Sequence, residues 1–374
     1  MHDDCSSSMN PLTTEPEGDE GKALRAALQR AMPITRMLDY GMTYHDAVTI
    51  HRETDRGIAW DIVATRLAEE HRARAVHAVE NRQIETAVQE FRLAAVDFNF
   101  AQLAYNADIG RKRELYGKMT ESFARAAELD VRLAVEHIRL PYAGALIAGW
   151  LVRPRSTDKP PTVMIVGGQS GWGPAYFSAA QALSDRGIAT MLVEMPGQGE
   201  TRLQHGLYLD SEVPEALSAV ISYLRTRDDL GHGVGVWGNS FGGLPAALVA
   251  ARDPRVGGCC INGAWAQPVI SPFRTAAEQA FAMVGSLDPT QVIEVFQALA
   301  FKVGHDKISC PVLVLHGGND SLITRDDQQP FLDGAENSSI KMWEDGEHTI
   351  YNHCLERNSL VADWFSDSLV RELH

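Results

Sequence analysis

Five short apolar runs, each closing on glycine or another small residue, constrain this chain more than any other feature. They start at Pro161 (PTVMIVGG), Ile188 (IATMLVEMPGQG), Gly233 (GVGVWGNS), Val256 (VGGCCING) and Cys310 (CPVLVLHGG). Apolar runs without polar alternation are the mark of strands buried on both faces of a parallel sheet. Amphipathic helical stretches separate several of them, as at residues 175–187 and 215–227. This alternation implies βαβ units and a mostly parallel sheet flanked by helices. Two more strands, VEHIRLPY and ALIAGWLVRP, are expected ahead of the series, joined by a turn at 142–144. Residues 265–306 break the alternation and read as a helical insertion above the sheet.

The region before the sheet has a different character. From residue 22 to 130 there is one proline, Pro33, and much Ala, Arg, Glu and Leu. Ile84, Val88, Phe91, Ala95 and Phe98 fall at helical spacing, and so do Leu115, Met119, Phe123 and Ala126 after Gly110. Each set makes one apolar stripe, so the pair reads as a helical hairpin. It either packs plainly on the catalytic domain or serves as a lid or dimerisation element. The division expected is a mobile acidic tail over 1–20, a helical domain over 21–130 and a catalytic domain over 131–374, with its insertion at about 265–306.

Composition narrows the partners. The formal net charge of −15 argues against nucleic acid and against an anionic membrane. The five cysteines (Cys5, Cys259, Cys260, Cys310, Cys354) show no metal-ligand spacing, and an odd unpaired count suggests reduced thiols and a cytoplasmic protein. Cys259 and Cys260, adjacent on a strand, should point to opposite faces. The acidic start has no basic and apolar signal pattern, and no apolar run approaches the ~18 residues of a membrane span.

Gly238-Asn239-Ser240-Phe241-Gly242 fits G-x-S-x-G, with the apolar run GVGVW before it and the helical LPAALVAA after it. That context is the nucleophile elbow, a sharp strand-to-helix turn whose neighbours must be small. Ser240 is therefore the candidate nucleophile. A serine hydroxyl needs a base, and in this arrangement the acid and then the histidine follow it in the chain. Asp320, in the loop after VLVLHG, is the candidate acid, and His348, after IKMW and a polar loop, the candidate base. A strand is expected at 340–343, and His353 is the competing base. An oxyanion hole requires two N–H groups aimed at the developing charge. Phe241, after the nucleophile, and Gln169, after Gly167 and Gly168, are the candidates.

These segments resemble a known group. MPGQGE (195–200), GNSFGG, ISCPVLVLHGGND, EDGEH and ADWFSDSL, behind a helical N-terminal region, are similar to the α/β-hydrolases that include 2,6-dihydroxypseudooxynicotine hydrolase, fungal polyketide-shortening pigment hydrolases and FrsA-like esterases. The resemblance implies the same Ser240, Asp320 and His348 triad. It also implies a homodimer and N-terminal helices that cover the active site. Some members cleave a carbon–carbon bond beside a carbonyl.

The reading that follows is a serine-dependent hydrolase acting through an acyl-enzyme on a small, aromatic or polyketide-like substrate, with no metal or organic cofactor. Ser170, Trp172 and Trp265 are candidate substrate contacts. No carboxylate occurs between Gly167 and Ser184, and Ser170 is a poor proton donor to a carbon leaving group. This favours ester, lactone or activated acyl cleavage over carbon–carbon cleavage. His305 and Glu294 of the insertion are the residues expected to reverse that preference if they enter the pocket. Acyl transfer or cyclisation by the same triad is an alternative, and a catalytically silent binding protein is a third reading.

Overall fold

The computed structural model describes residues 18–369, so the tail expected over 1–20 falls, up to residue 17, outside the described residues. Six helices lead: α1 (Asp19–Ala31), α2 (Ile34–Asp39), α3 (Tyr44–Asp55), α4 (Trp60–Glu80), α5 (Ile84–Gln102) and α6 (Gly110–Leu129). Met32 precedes a proline, which disfavours helical backbone, and it leaves the helical region at φ −127°, ending α1. Pro33, extended at φ −63° and ψ 155°, then stands at the N-cap position of the short helix α2. α5 and α6 are the hairpin of the two apolar stripes, and α4 packs along α5.

The sheet-bearing part runs β1 (Leu133–Tyr142), β2 (Ala145–Pro154), β3 (Thr162–Val166), α7 (Phe177–Ser184), β4 (Ala189–Glu194), α8 (Gly199–Leu203), α9 (Val213–Arg225), β5 (Val234–Asn239), α10 (Gly243–Arg252) and β6 (Val256–Asn262). The insertion follows as α11 (Arg274–Val284) and α12 (Pro289–Ala298), then β7 (Val312–Gly317), α13 (Arg325–Asp333), β8 (Ser338–Trp343) and α14 (Cys354–Leu369). The strand order is β1-β2-β4-β3-β5-β6-β7-β8. β1, β2 and β4 pair antiparallel and the rest parallel. Ala143 (φ 48°) and Gly144 (φ 78°) make the two-residue turn of the β1–β2 hairpin, where both residues need positive φ. β8 begins two residues before the expected start, paired from Ser338 to Val312. Its side chains are largely exposed at the sheet edge, so the early part carries no apolar signal.

Strand pleating divides the core in two. Cys260 packs with Trp237 and Leu315 on the face covered by α7 and α14. Cys259 packs with Val236 and Val314 on the face covered by α9 and α10, so the adjacent thiols do point oppositely. The first core runs unbroken into the N-terminal helices. Phe123 of α6 sets its ring edge against Trp150 at 4.9 Å and Phe177 at 5.4 Å. β3 has β4 on one side and β5 on the other, so the crevice of the strand-order reversal opens at their carboxyl ends. Among the described residues no helix is long and apolar enough to cross a membrane.

Candidate active site

Ser240 stands where β5 turns into α10, at φ 53°. A non-glycine residue in this left-handed region is strained, and the surroundings must enforce it. They do so by close approach. A β-carbon on Gly238 would lie 2.4 Å from the Gly242 carbonyl oxygen, and one on Gly242 would lie 2.3 Å from the Gly167 oxygen. The small residues of the motif thus let β3, β5 and α10 meet and raise the Ser240 hydroxyl above the sheet.

Ser240 Oγ lies 2.9 Å from His348 Nε2, and His348 Nδ1 lies 2.8 Å from Asp320 Oδ2. The other Asp320 oxygen, Oδ1, accepts from the N–H groups of Leu322 (2.8 Å) and Ile323 (3.0 Å). Burial alone would raise this carboxyl, but His348 and the two N–H donors outweigh it and hold the pKa below the usual carboxylate value. The loop after His348 is strained in turn, with Thr349 at φ 51° and Ile350 at φ 62°. Asn262 Nδ2 (3.0 Å) and Arg357 Nη1 (2.8 Å) both donate to the Thr349 carbonyl and pin it.

The loop after β3 lies against the serine. A β-carbon on Gly168 would come within 3.0 Å of Ser240 Cβ. Gln198, fully buried at the start of the turn into α8, donates to the Gly167 and Gly168 carbonyls at 2.8 and 2.7 Å. The Gly168 N–H donates to Tyr176 Oη at 3.3 Å, and Gln169 is the next residue along.

A cavity of about 290 Å³ opens on Ser240 and His348. Its roof comes from the chain's first helices, with Arg36 of α2 and Tyr40 just after it; the insertion adds Trp265 and Phe273. Tyr176, Tyr351, Ser170 and Glu347 complete the polar wall. Burial pushes the Tyr176 hydroxyl up to about 12, so it stays a neutral donor. A larger cavity of about 490 Å³, between α5, α6 and α7, shares Tyr40 but includes neither Ser240 nor His348.

No protein-family model matches the chain. It is 27% identical over 346 residues to 2,6-dihydropseudooxynicotine hydrolase of Paenarthrobacter nicotinovorans, spanning 90% of this chain and 91% of the relative. An α/β-hydrolase of an Acremonium species is 31% identical over 170 residues, which are 40% of this chain and 34% of that protein. The crystal structure of 2,6-dihydroxy-pseudo-oxynicotine hydrolase superposes with a TM-score of 0.81 at 23% identity, over 90% of this chain and 96% of that one. The fold is that of the α/β-hydrolases.

These relatives belong to the group that the sequence resembles. Of its expected site residues, Ser240, Asp320 and His348 come together, while His353 bonds Asp345 at 2.9 Å away from the serine. Gln169, Ser170 and Trp265 line the cavity. Phe241 follows Ser240 in the chain but does not line the cavity, its ring being buried against Phe296 at 5.1 Å. Trp172, expected as a substrate contact, does not line the cavity. Its indole N–H donates to the Gln169 carbonyl at 3.1 Å, and its ring lies 5.1 Å from Lys112 Nζ and 5.0 Å from the Arg202 guanidinium. It supports the loop from behind. His305 and Glu294 are also outside the cavity, and the His305 side chain is exposed beside Asp306. Of the insertion's aromatic residues, Trp265 and Phe273 line the site, while Phe296 and Phe301 pack on Phe241 and Phe331.

Sequence reasoning missed Gln198 and the roof residues Arg36 and Tyr40. For Gln198 a signal existed: a lone amide between two glycines at the end of a buried run. For Arg36 there was none, since an arginine on a six-residue helix looks like an exposed side chain.

Proposed function

We propose that this α/β-hydrolase uses Ser240 to cleave an acyl bond, as an ester, lactone or activated acyl group, in a small substrate. The observation that carries this reading is the continuous line Ser240 Oγ, His348 and Asp320, with 2.9 and 2.8 Å contacts, opening into an aromatic-walled cavity. His348 Nε2 takes the Ser240 proton as Oγ attacks the carbonyl carbon, and Asp320 orients the ring and stabilises the imidazolium. The N–H groups of Gln169 and Phe241 receive the oxyanion. Collapse expels the leaving group, which takes the proton from His348. Water, deprotonated by the same histidine, then releases the acid and restores Ser240. A cavity of about 290 Å³ suits a compact substrate.

The test is labelling and turnover. A fluorophosphonate should label the native chain and not Ser240→Ala. Ser240→Ala and His348→Ala should each lose several powers of ten in kcat on 4-methylumbelliferyl esters, while His353→Ala stays near wild type. Retention of more than about a hundredth of the rate by Ser240→Ala would refute the covalent route.

Cleavage of a carbon–carbon bond beside a ketone is the second reading, and one observation favours it. The preference for esters rests on the lack of a proton donor near the loop after β3. Tyr40 and Tyr176 bring hydroxyls to that loop, and a β-carbon on Gly171 would lie 1.9 Å from Tyr40 Oη and 3.2 Å from Tyr176 Oη. An ester and a β-diketone sharing one acyl group separate the two: faster β-diketone cleavage, lost in Tyr40→Phe, selects the second.

A further inference from the structure

Three arginines of the described residues are almost fully buried: Arg36, Arg202 and Arg357. Two have a carboxylate partner, Arg202 with Asp108 at 3.1 Å and Arg357 with Asp39 at 2.6 Å. Arg36 differs. Its Nη1 donates to the Ala31 carbonyl (2.7 Å), and its Nη2 donates to Ser170 Oγ (3.0 Å) and, at 3.4 Å, to Tyr40 Oη. Its Nε–H has no acceptor. Among the described residues no carboxylate lies within ion-pair distance of it. Asp39 is paired with Arg357, and Glu347, on the same cavity wall, accepts from the Thr35 hydroxyl at 2.5 Å and makes no ion pair with Arg36.

A buried guanidinium remains charged, and without a paired anion its desolvation destabilises the fold. The Tyr40 ring, 5.1 Å from the guanidinium carbon, offsets only a small part of this. The charge also has a place: Arg36 and its acceptor Ser170 both line the cavity that holds Ser240. Ser170 Oγ accepts from Arg36, so its own proton is available to a third group. Ser170 directly follows Gln169, so this cationic corner adjoins the loop that faces the reacting carbonyl.

We propose that Arg36 anchors the substrate: the natural substrate carries an ionised oxygen group, a carboxylate or an acidic phenol, which pairs with Arg36 and takes a hydrogen bond from Ser170 while the scissile carbonyl lies at Ser240. The proposal rests on the acyl-cleavage reading for the position of the reacting bond. The roof helix α2 is then a specificity element, supplying the charge that selects anionic substrates from neutral ones of the same size. No bond changes at Arg36 itself.

The test compares 4-methylumbelliferyl esters of three acids: pentanoic acid (neutral), glutaric acid as its monoester (carboxylate) and 3-(4-hydroxy-3-nitrophenyl)propanoic acid (phenolate at neutral pH). Wild type should favour at least one charged ester by on the order of a hundredfold in kcat/KM, the size of a buried charge-assisted contact. Preference for the glutarate or for the phenolate ester identifies which oxygen anion is meant. Arg36→Met should bring that ratio towards one, and Arg36→Lys should restore part of it. Arg36→Met should also melt no lower than wild type, because it removes an uncompensated buried charge. Equal or poorer use of both charged esters by wild type overturns the proposal, as does a preference that survives in Arg36→Met. If no ester is turned over, the acyl reading fails separately. Arg36 is then tested by thermal-shift binding of glutarate against valeramide to Ser240→Ala, where absence of a glutarate-specific shift overturns it.

Discussion

Asp39 and Arg357 form a buried, two-point ion pair, with Arg357 Nη2 and Nη1 donating to the two carboxylate oxygens at 2.6 and 3.0 Å. The pair joins α2, which carries Arg36, to α14. The same guanidinium donates to the Thr349 carbonyl at 2.8 Å, beside His348. One side chain therefore ties the roof of the cavity to the loop of the candidate base.

Arg357→Met should destabilise the fold by about 3–5 kcal/mol, because Asp39 is left as an uncompensated buried charge. Adding Asp39→Leu should recover most of that loss in urea unfolding. It should not recover kcat, since the Thr349 carbonyl keeps only the Asn262 amide of its two donors. Full recovery of both would mean that the pair has no part in placing His348.

Gln198→Leu should lower kcat by about ten- to a hundredfold with KM within about twofold. The loss is smaller than the ~10²–10³ of deleting an oxyanion donor, because Gln198 acts through the loop that carries Gln169. Steady-state kinetics on one ester decides it. A KM effect alone would assign Gln198 to substrate binding instead.

Gly171 and Tyr40 should be coupled. A β-carbon at Gly171 would stand 1.9 Å from Tyr40 Oη and 2.8 Å from Tyr40 Cζ. Gly171→Ala should displace Tyr40 and reduce activity, and Tyr40→Phe in the same chain should restore part of it by removing the first clash. Simple additivity of the two losses in a double-mutant cycle would contradict this contact.

Glu194 should impose a pH dependence on stability. Burial raises its pKa from an ordinary 4.5 to about 7, against the opposing hydrogen bonds from Tyr116 and the Glu200 N–H. Between those values the folded state holds a proton that the unfolded chain has lost, so stability falls as pH rises through the window and levels above it. Melting temperatures of wild type minus Glu194→Gln should decline from about pH 4.5 to 7 and then flatten. A flat or rising difference would contradict the raised pKa.

Much of the sheet and of the Ser240 line was legible for local reasons. The runs PTVMIVGG and CPVLVLHGG have no polar alternation, so they had to be buried on both faces, and the loops after such strands are where sites form. Ser240, Asp320 and His348 each follow a strand that the pattern reveals. β8 was read short because its edge position leaves Ser338 and Ser339 exposed. Trp172 was misplaced because a large aromatic in a glycine loop looks the same whether it faces the cavity or backs the loop.

By itself the sequence determined the strands, the crossovers and the positions at which Ser240, Asp320 and His348 emerge, because those follow from hydrophobic periods and from the small residues that tight turns demand. Only the tertiary structure decided what faces them. Arg36 meets Ser170 across 134 residues, and Asp39 meets Arg357 across 318. Nothing in the six residues of α2 distinguishes a solvated arginine from a buried one. Burial of that charge arises only when α2 packs over the carboxyl ends of the sheet, a long-range contact whose energy belongs to the pair of surfaces and not to either segment.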